Sequence, residues 1–297
     1  MEEKISKYPL LDSIDSPADL RKLPEKQLEQ LCRELRGFII DSLANNPGHF
    51  ASSLGTVELT VALHYVFSTP DDKLVWDVGH QAYGHKILTG RRDLFHTNRK
   101  FGGLKPFPSP EESEYDSFVA GHASNSISAA LGLAVSANIK GNTDEHVVAV
   151  IGDGSMSGGL AYEGLNNLAN TKSNLLIILN DNNMSISENV GGMAQLLQTM
   201  RIRPSYINFK KWFRSITENM KFLYILVHRI KEWLKNHILP DNIFSEMGFF
   251  YIGPVNGHDI DMLEKAISLA KDIRKPVLLH VLTTKGKGFA CAEAHPD

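Results

Sequence analysis

Two short, uninterrupted apolar runs, Val147-Val148-Ala149-Val150-Ile151 and Leu175-Leu176-Ile177-Ile178-Leu179, constrain the fold of this chain more than any other feature. Runs of this length without polar alternation have both faces buried, as central strands of a parallel sheet covered by helices do. The stretch between them accommodates one crossover helix, so the pair predicts a strand–helix–strand unit. The first run ends in Gly152-Asp153-Gly154 and the second in Asn180-Asp181-Asn182. Parallel strands deliver both loops to the same carboxyl edge of the sheet, where α/β folds bind their ligands.

The residue types in those loops suit a divalent cation shared with a diphosphate. Two glycines around one carboxylate let backbone N–H groups approach an anion, while Asp153 offers a hard oxygen. Asn182 supplies a second oxygen, and a helix after Ser155 would turn its positive N-terminal end toward the same place. Two protein oxygens with the remaining positions open match magnesium. A bare Gly-Asp-Gly is a common turn; the flanking strand, helix and second strand are what give it meaning. A dinucleotide loop would need glycine where Ser157 stands, and no Gly-Lys-Ser/Thr follows to make a Walker loop.

The rest of the chain repeats the α/β alternation. Leu28, Leu31, Leu35, Phe38, Ile39 and Leu43 recur at helical spacing until Asn45-Asn46-Pro47. Residues 56–67 predict a second helix and 74–78 a strand ending at Gly79-His80. The Ala- and Ser-rich 124–140 predicts a tightly packed helix, 261–271 another, and 277–282 a further strand. The expected architecture is one α/β domain over 1–297, a parallel sheet with helices on both faces, interrupted by a helical insertion at 191–240. There Phe213, Ile216, Met220, Leu223, Val227, Ile230 and Leu234 form an apolar stripe, expected to pack on the domain and placed to act as a lid. With 297 residues, 42% of them hydrophobic, and a net charge of −3, the chain has core enough for one large domain and no nucleic-acid signature. Cys32 and Cys291 are too few and too far apart for a disulfide framework. No membrane-length or signal segment is apparent, so a cytoplasmic location is expected.

Three histidines follow glycine at the ends of predicted elements: Gly48-His49, Gly79-His80 and Gly121-His122. Such turns present an imidazole into a cleft, and histidine exchanges protons near neutral pH. Taken singly, each fits a structural histidine; three together point to a site. Zinc is disfavoured because no two have the short helical spacing of a hydrolase motif. His258 is expected to cap the helix it precedes. His64, His85 and His96 carry no special context. The run Lys285-Gly286-Lys287-Gly288 follows the last strand and suits either an anionic ligand or a solvated turn.

Further segments make the chain recognisable: Gly48-His49-Phe50-Ala51-Ser52, Trp76-Asp77-Val78-Gly79-His80-Gln81-Ala82-Tyr83, His85-Lys86-Ile87-Leu88-Thr89-Gly90-Arg91-Arg92, Gly121-His122-Ala123-Ser124 and Tyr251-Ile252-Gly253-Pro254. With the Gly-Asp-Gly and Asn-Asp-Asn loops, the chain closely resembles the N-terminal half of the 1-deoxy-D-xylulose-5-phosphate synthases, thiamine-diphosphate enzymes related to transketolase. The resemblance implies a thiamine-diphosphate-binding fold and the condensation of pyruvate with glyceraldehyde 3-phosphate, serving isoprenoid precursor and thiamine biosynthesis. It implies Asp153, Asn182 and the carbonyl of Met184 as magnesium ligands, and His49 and His80 as the groups that manage proton transfers. Gly121, His122, Ala123, Gly154, Ser155, Asn182, Phe289 and His80 itself would bind the cofactor, and the enzyme would be a homodimer.

Two departures bear on that expectation. Phe289 stands where the family commonly has a hydroxyl-bearing aromatic. The sequence also stops at Asp297, before the family's pyrimidine-binding and C-terminal domains, which carry the glutamate facing the aminopyrimidine and the arginines for the acceptor phosphate. Residues 1–297 alone are therefore expected to bind magnesium and diphosphate weakly and to turn over little, unless a second chain supplies the missing parts. The alternatives are the N-terminal subunit of a two-chain transketolase and a noncatalytic cofactor-binding or dimerisation module, with the helix after Ser124 as its interface.

Overall fold

A computed structural model describes residues 6–169, 171, 173–184, 191–202 and 243–294. The apolar stripe at 213–234 and the lid function suggested for it lie outside the described residues.

The five described strands are β1 (Lys73–Trp76), β2 (Val147–Gly152), β3 (Leu175–Asp181), β4 (Phe250–Asn256) and β5 (Val277–Leu282). They form one all-parallel sheet in the order β1-β2-β3-β5-β4. Because side chains alternate across a strand, each one feeds two cores. Leu74, Trp76, Val148, Val150, Leu176, Ile178, Val277 and Leu279 face one cluster, shared with helices α1 (Leu28–Leu43), α3 (Val57–Val66) and α7 (Ile260–Lys271). Val75, Val147, Ala149, Ile151, Leu175, Ile177, Leu179 and Leu278 face the other, with α4 (Ser126–Ile139), α5 (Gly159–Leu168) and α6 (Gly192–Ile202), which contributes the buried Leu197 and Met200. The remaining labelled helices are α2 (Phe50–Gly55), just before α3, and α8 (Ala290–Ala294). The doubly covered parallel sheet is as expected. Burying each of these Val, Leu and Ile side chains contributes roughly 1.5–3 kcal/mol relative to exposure.

Local chemistry explains most boundaries. The predicted helices at 28–43, 56–67, 124–140 and 261–271 are present within two residues at each end. Asp259 caps α7 by accepting from the Met262 N–H at 3.0 Å. That displaces His258 from the capping role expected of it. The helix expected directly after Ser155 starts later: Ser155–Ser157 is a 3-10 turn and α5 begins at Gly159.

Strand β4 has no counterpart among the predicted elements, because Gly253-Pro254 interrupts its apolar run and reads as a turn. Two features accommodate it. β4 is an edge strand, where proline's missing donor is tolerated, and the ladder shifts between Ile252 and Val255. Gly253 has φ +127°, and a Cβ there would stand 2.5 Å from the His280 carbonyl oxygen of β5. Strand β3 runs two residues beyond its apolar stretch, since Asn180 and Asp181 still pair with Val281 and Leu282.

Candidate active site at the carboxyl edge of the sheet

All five strands end at one edge, and buried polar side chains tie their loops together there. Asp77, fully buried just past β1, accepts from the Ser124 N–H at 3.0 Å and the Ser126 N–H at 3.2 Å. It thereby holds both the start of α4 and the Gly121-His122-Ala123 loop before it. The Ser124 hydroxyl donates to the Ser155 carbonyl at 2.7 Å, joining that loop to the Gly-Asp-Gly loop of β2. Asn180, at the end of β3, donates to Gln81 Oε1 at 2.8 Å and accepts from the Thr283 hydroxyl at 2.6 Å. Loops from β1, β3 and β5 are thus fixed by one amide.

His49 and His80 come together at this edge, their rings 5.9 Å apart and edge to face. His49 stands at the N-terminus of α2, where its N–H donates to the Tyr83 hydroxyl at 3.2 Å. Phe107 stacks on its ring at 5.8 Å, and Arg99 lies 3.2 Å from its Nδ1. His80 follows two residues of positive φ, Val78 at +59° and Gly79 at +88°. For a β-branched residue that conformation costs roughly 1–3 kcal/mol, strain of the kind that gathers at functional sites. At Gly79 a Cβ would meet Pro108 Cδ at 2.7 Å, so only glycine lets the 107–108 wall close over this turn.

Burial, then the charge of Arg99, holds the His49 imidazole below its ordinary range. Burial, reinforced by His49 and outweighing the opposing Asp77, pushes His80 down to about 4. Both rings are therefore neutral at pH 7 and can accept a proton. His80 Nδ1 is buried and has no hydrogen-bond partner among the described residues, a polar atom that a ligand would satisfy. An NMR titration should show His80 with a midpoint near 4 and His49 below the free-histidine value; ordinary midpoints near 6.5 would mean the cleft is open to water.

The residues expected to hold a metal and an anion occupy the neighbouring loops. Gly152 pairs with Asn180 across β2 and β3, so Asp153 and Asn182 leave adjacent strands one and two residues beyond that pair. Asp153 is 4% exposed, and its backbone N–H donates to the Asn180 carbonyl at 3.2 Å. Asn182 Oδ1 accepts from the Met184 N–H at 3.0 Å across a turn in which Asn183 has φ +63°. Gly154 and Ser155 are half-buried beside Asp153, whereas Gly121, His122 and Ala123 are exposed, so His122 does not share the burial of the other two Gly-His histidines. Phe289 is 37% exposed and packs edge-on against Phe50, 5.1 Å away, beside His49. The Lys285-Gly286-Lys287-Gly288 run is pinned rather than free. The Gly286 N–H donates to the Ala51 carbonyl at 2.7 Å, and Arg36 Nε donates to the Lys287 carbonyl at 3.0 Å.

These residues fit a divalent cation bridged to a diphosphate. Asp153 and Asn182 are hard oxygen donors, and among the described residues no three His, Cys, Asp or Glu converge to close a cage of their own. The remaining coordination would then fall to ligand oxygens and water, the usual arrangement of magnesium with a phosphate ligand.

The sequence motifs missed several supports. Asp77 ends an apolar strand just as Asp153 does, a parallel that could have marked it. His258 bridges Glu58 and the β5 loop: its Nδ1 lies 3.2 Å from Glu58 Oε2, and its Nε2 accepts from the Thr284 N–H at 2.8 Å. Burial raises the Glu58 carboxyl, but the His258 hydrogen bond and Arg36 outweigh it and hold the group below its ordinary range. A longer buried line runs Thr69–His64–His85–Asp116–Arg91, and Glu112 links Arg91 to Lys86. Nothing local in the sequence distinguishes His64 or His85, because their partners come from distant segments.

The sheet order, the two faces of helices and the loops gathered at the carboxyl edge define the class: this is the α/β fold of transketolases. It aligns with the transketolase of Campylobacter jejuni with a TM-score of 0.65 at 21% identity, over 90% of this chain and 39% of that one. For the Leishmania mexicana transketolase the TM-score is 0.63 at 19% identity, over 90% and 37%. Residues 11–283 match the family model described as 1-deoxy-D-xylulose-5-phosphate synthase. The 1-deoxy-D-xylulose-5-phosphate synthases of Phocaeicola vulgatus and Bacteroides thetaiotaomicron are 56% and 57% identical, over 98% and 97% of this chain and 47% and 45% of their own lengths. The chain belongs to the 1-deoxy-D-xylulose-5-phosphate synthase family of transketolase-like transferases, and it spans about half the length of the curated relatives it matches.

Proposed function

We propose that this chain is the diphosphate-binding half of a 1-deoxy-D-xylulose-5-phosphate synthase, which condenses pyruvate with glyceraldehyde 3-phosphate and releases carbon dioxide. The observation that carries the proposal is the joint presence, on one sheet edge, of the Asp153 and Asn182 loops and the neutral His49–His80 pair. Asp153, Asn182 and the Met184 carbonyl hold magnesium. Gly154, Ser155, Gly121, His122 and Ala123 hold the diphosphate end of thiamine diphosphate, and Phe289 packs beside it. When bound, the cofactor supplies the electron sink that decarboxylation needs. The protein's part is to orient substrate and exclude water, with His80 and His49 accepting and returning protons.

The domain assignment belongs to the same proposal. Residues 1–297 form the diphosphate-binding domain with the insertion at 191–240, and by themselves they turn over little. Other parts of the assembly, in the same or a second chain, complete the pyrimidine end. The assembly is a homodimer, serving isoprenoid precursor and thiamine biosynthesis in the cytoplasm. Both cysteines are free, and among the described residues no helix is long and apolar enough to cross a membrane. Family membership favours this over a two-chain transketolase.

The test is calorimetry of thiamine diphosphate with the natural full-length protein, with and without magnesium, followed by a product assay. Magnesium-dependent binding and pyruvate decarboxylation that needs glyceraldehyde 3-phosphate are expected. Ketol transfer from a sugar phosphate, or binding indifferent to magnesium, would overturn it.

A further inference from the structure

A file of hydrogen bonds runs through the core directly beneath the turn that carries Asn182 and Met184. Tyr251 of β4, His280 of β5 and Asp181 at the end of β3 are 2%, 0% and 1% exposed. The Tyr251 hydroxyl lies 2.8 Å from His280 Nδ1, and His280 Nε2 lies 2.8 Å from Asp181 Oδ2. The other Asp181 oxygen accepts from the Asn183 N–H at 3.3 Å. An ionised carboxylate only accepts, so His280 donates from Nε2 to Asp181, and a neutral ring then accepts at Nδ1 from the Tyr251 hydroxyl. Burial, then the charge of Asp181, raises the Tyr251 phenol above its ordinary range, which keeps it a donor. With the ring neutral, the bonds run one way, toward the carboxylate that also accepts from the Asn183 N–H in the 181–184 turn.

Neither the two expected side-chain ligands nor the histidine pair accounts for these groups. Burying a phenol, an imidazole and a carboxylate together is costly in desolvation unless each is bonded, and here each is. The same close approach of β4 to β5 requires Gly253, which lies against His280. Histidines and carboxylates arranged behind metal ligands in this way orient the ligands and tune affinity.

We propose that Tyr251 and His280 are positioning residues for the cation end of the site. By fixing Asp181 they set the 181–184 turn, and with it the magnesium affinity of Asn182 and the Met184 carbonyl. The inference rests on the metal site proposed above.

The test is the magnesium dependence of thiamine diphosphate binding, by calorimetry on the natural full-length protein, with melting temperatures measured alongside. His280→Leu should raise the half-saturating magnesium concentration about tenfold or more. Tyr251→Phe, which removes one hydroxyl and keeps the volume, should raise it less. His280→Gln, whose amide still donates to Asp181, should stay near wild type. If His280→Leu fails to fold, Tyr251→Phe against wild type carries the comparison. A wild-type magnesium dependence in the folded variants overturns the proposal, as does a loss that follows melting temperature alone with no rescue by glutamine. A wild-type protein that binds no thiamine diphosphate with magnesium would instead overturn the functional assignment. Manganese binding followed by electron paramagnetic resonance, without cofactor, then still reads the effect of the same variants.

Discussion

Asp116→Ala is expected to lower the unfolding free energy by about 3–5 kcal/mol, because it removes one partner of a buried ionic line and leaves the others in place. The Asp116 carboxylate is fully enclosed. It accepts from His85 Nε2 at 2.9 Å, from Arg91 through two nitrogens at 2.6 and 2.9 Å, and from the Ser109 N–H at 2.8 Å. Without it the Arg91 guanidinium, itself almost fully buried, keeps only Glu112 and Thr89 among these bonds. Burial alone would raise the Asp116 carboxyl, but the hydrogen bonds from His85 and Arg91 outweigh it and hold the group far below its ordinary range. A carboxylate so depressed contributes stability above its unfolded value, near 4, and loses it as pH falls toward the folded value. His64 and His85 act at higher pH. Burial lowers both imidazoles, so below about pH 6.5 the unfolded chain binds protons that the folded one does not. Stability should thus fall on acidification, by up to about 1.4 kcal/mol per pH unit for each of the two histidines. Urea denaturation at pH 7 and at pH 5 measures both effects; a variant within about 1 kcal/mol of wild type at pH 7 would show that water already reaches the line.

The same carboxylate bears on the site. Its bond to the Ser109 N–H anchors the wall in which Pro108 closes on Gly79 and Phe107 stacks on His49. Asp116→Ala should therefore also move His49 toward its ordinary titration range, as the stacking that desolvates the ring loosens.

What the sequence discloses and what it hides divide along a physical line. Periodicity is local, so the α1 stripe from Leu28 to Leu43 and the buried runs of β2, β3 and β5 were legible, and with them the parallel sheet and the edge where its loops gather. The placement of Asp153 and Asn182 at that edge was legible too, because such residue types are unusual directly after an apolar strand. β4 was hidden because Gly253-Pro254 has the grammar of a turn, and only its position at the sheet edge makes that compatible with a strand. The supporting network was hidden because it is non-local. Asp77 holds Ser124 and Ser126, His64 meets His85, and His258 joins Glu58 to Thr284, each pairing fixed by the packed fold and by nothing in the neighbouring residues.

Asp153→Ala should abolish magnesium-dependent binding of thiamine diphosphate, weakening it about 100-fold or more, since changes behind a metal ligand alone cost 10–100-fold. The Asp153 N–H is held by the Asn180 carbonyl, the Ser155 carbonyl by the Ser124 hydroxyl, and Ser124 in turn by Asp77. None of these bonds uses the Asp153 side chain, so they remain available when its hard anionic oxygen is removed. Asp153→Asn separates charge from shape: it keeps one oxygen donor but loses the charge that favours a divalent cation, and should fall between alanine and wild type, with partial recovery at high magnesium. The fold should persist in both variants by circular dichroism. Full magnesium-dependent binding by Asp153→Ala would move the cation off this loop and, with it, the functional assignment built on the loop.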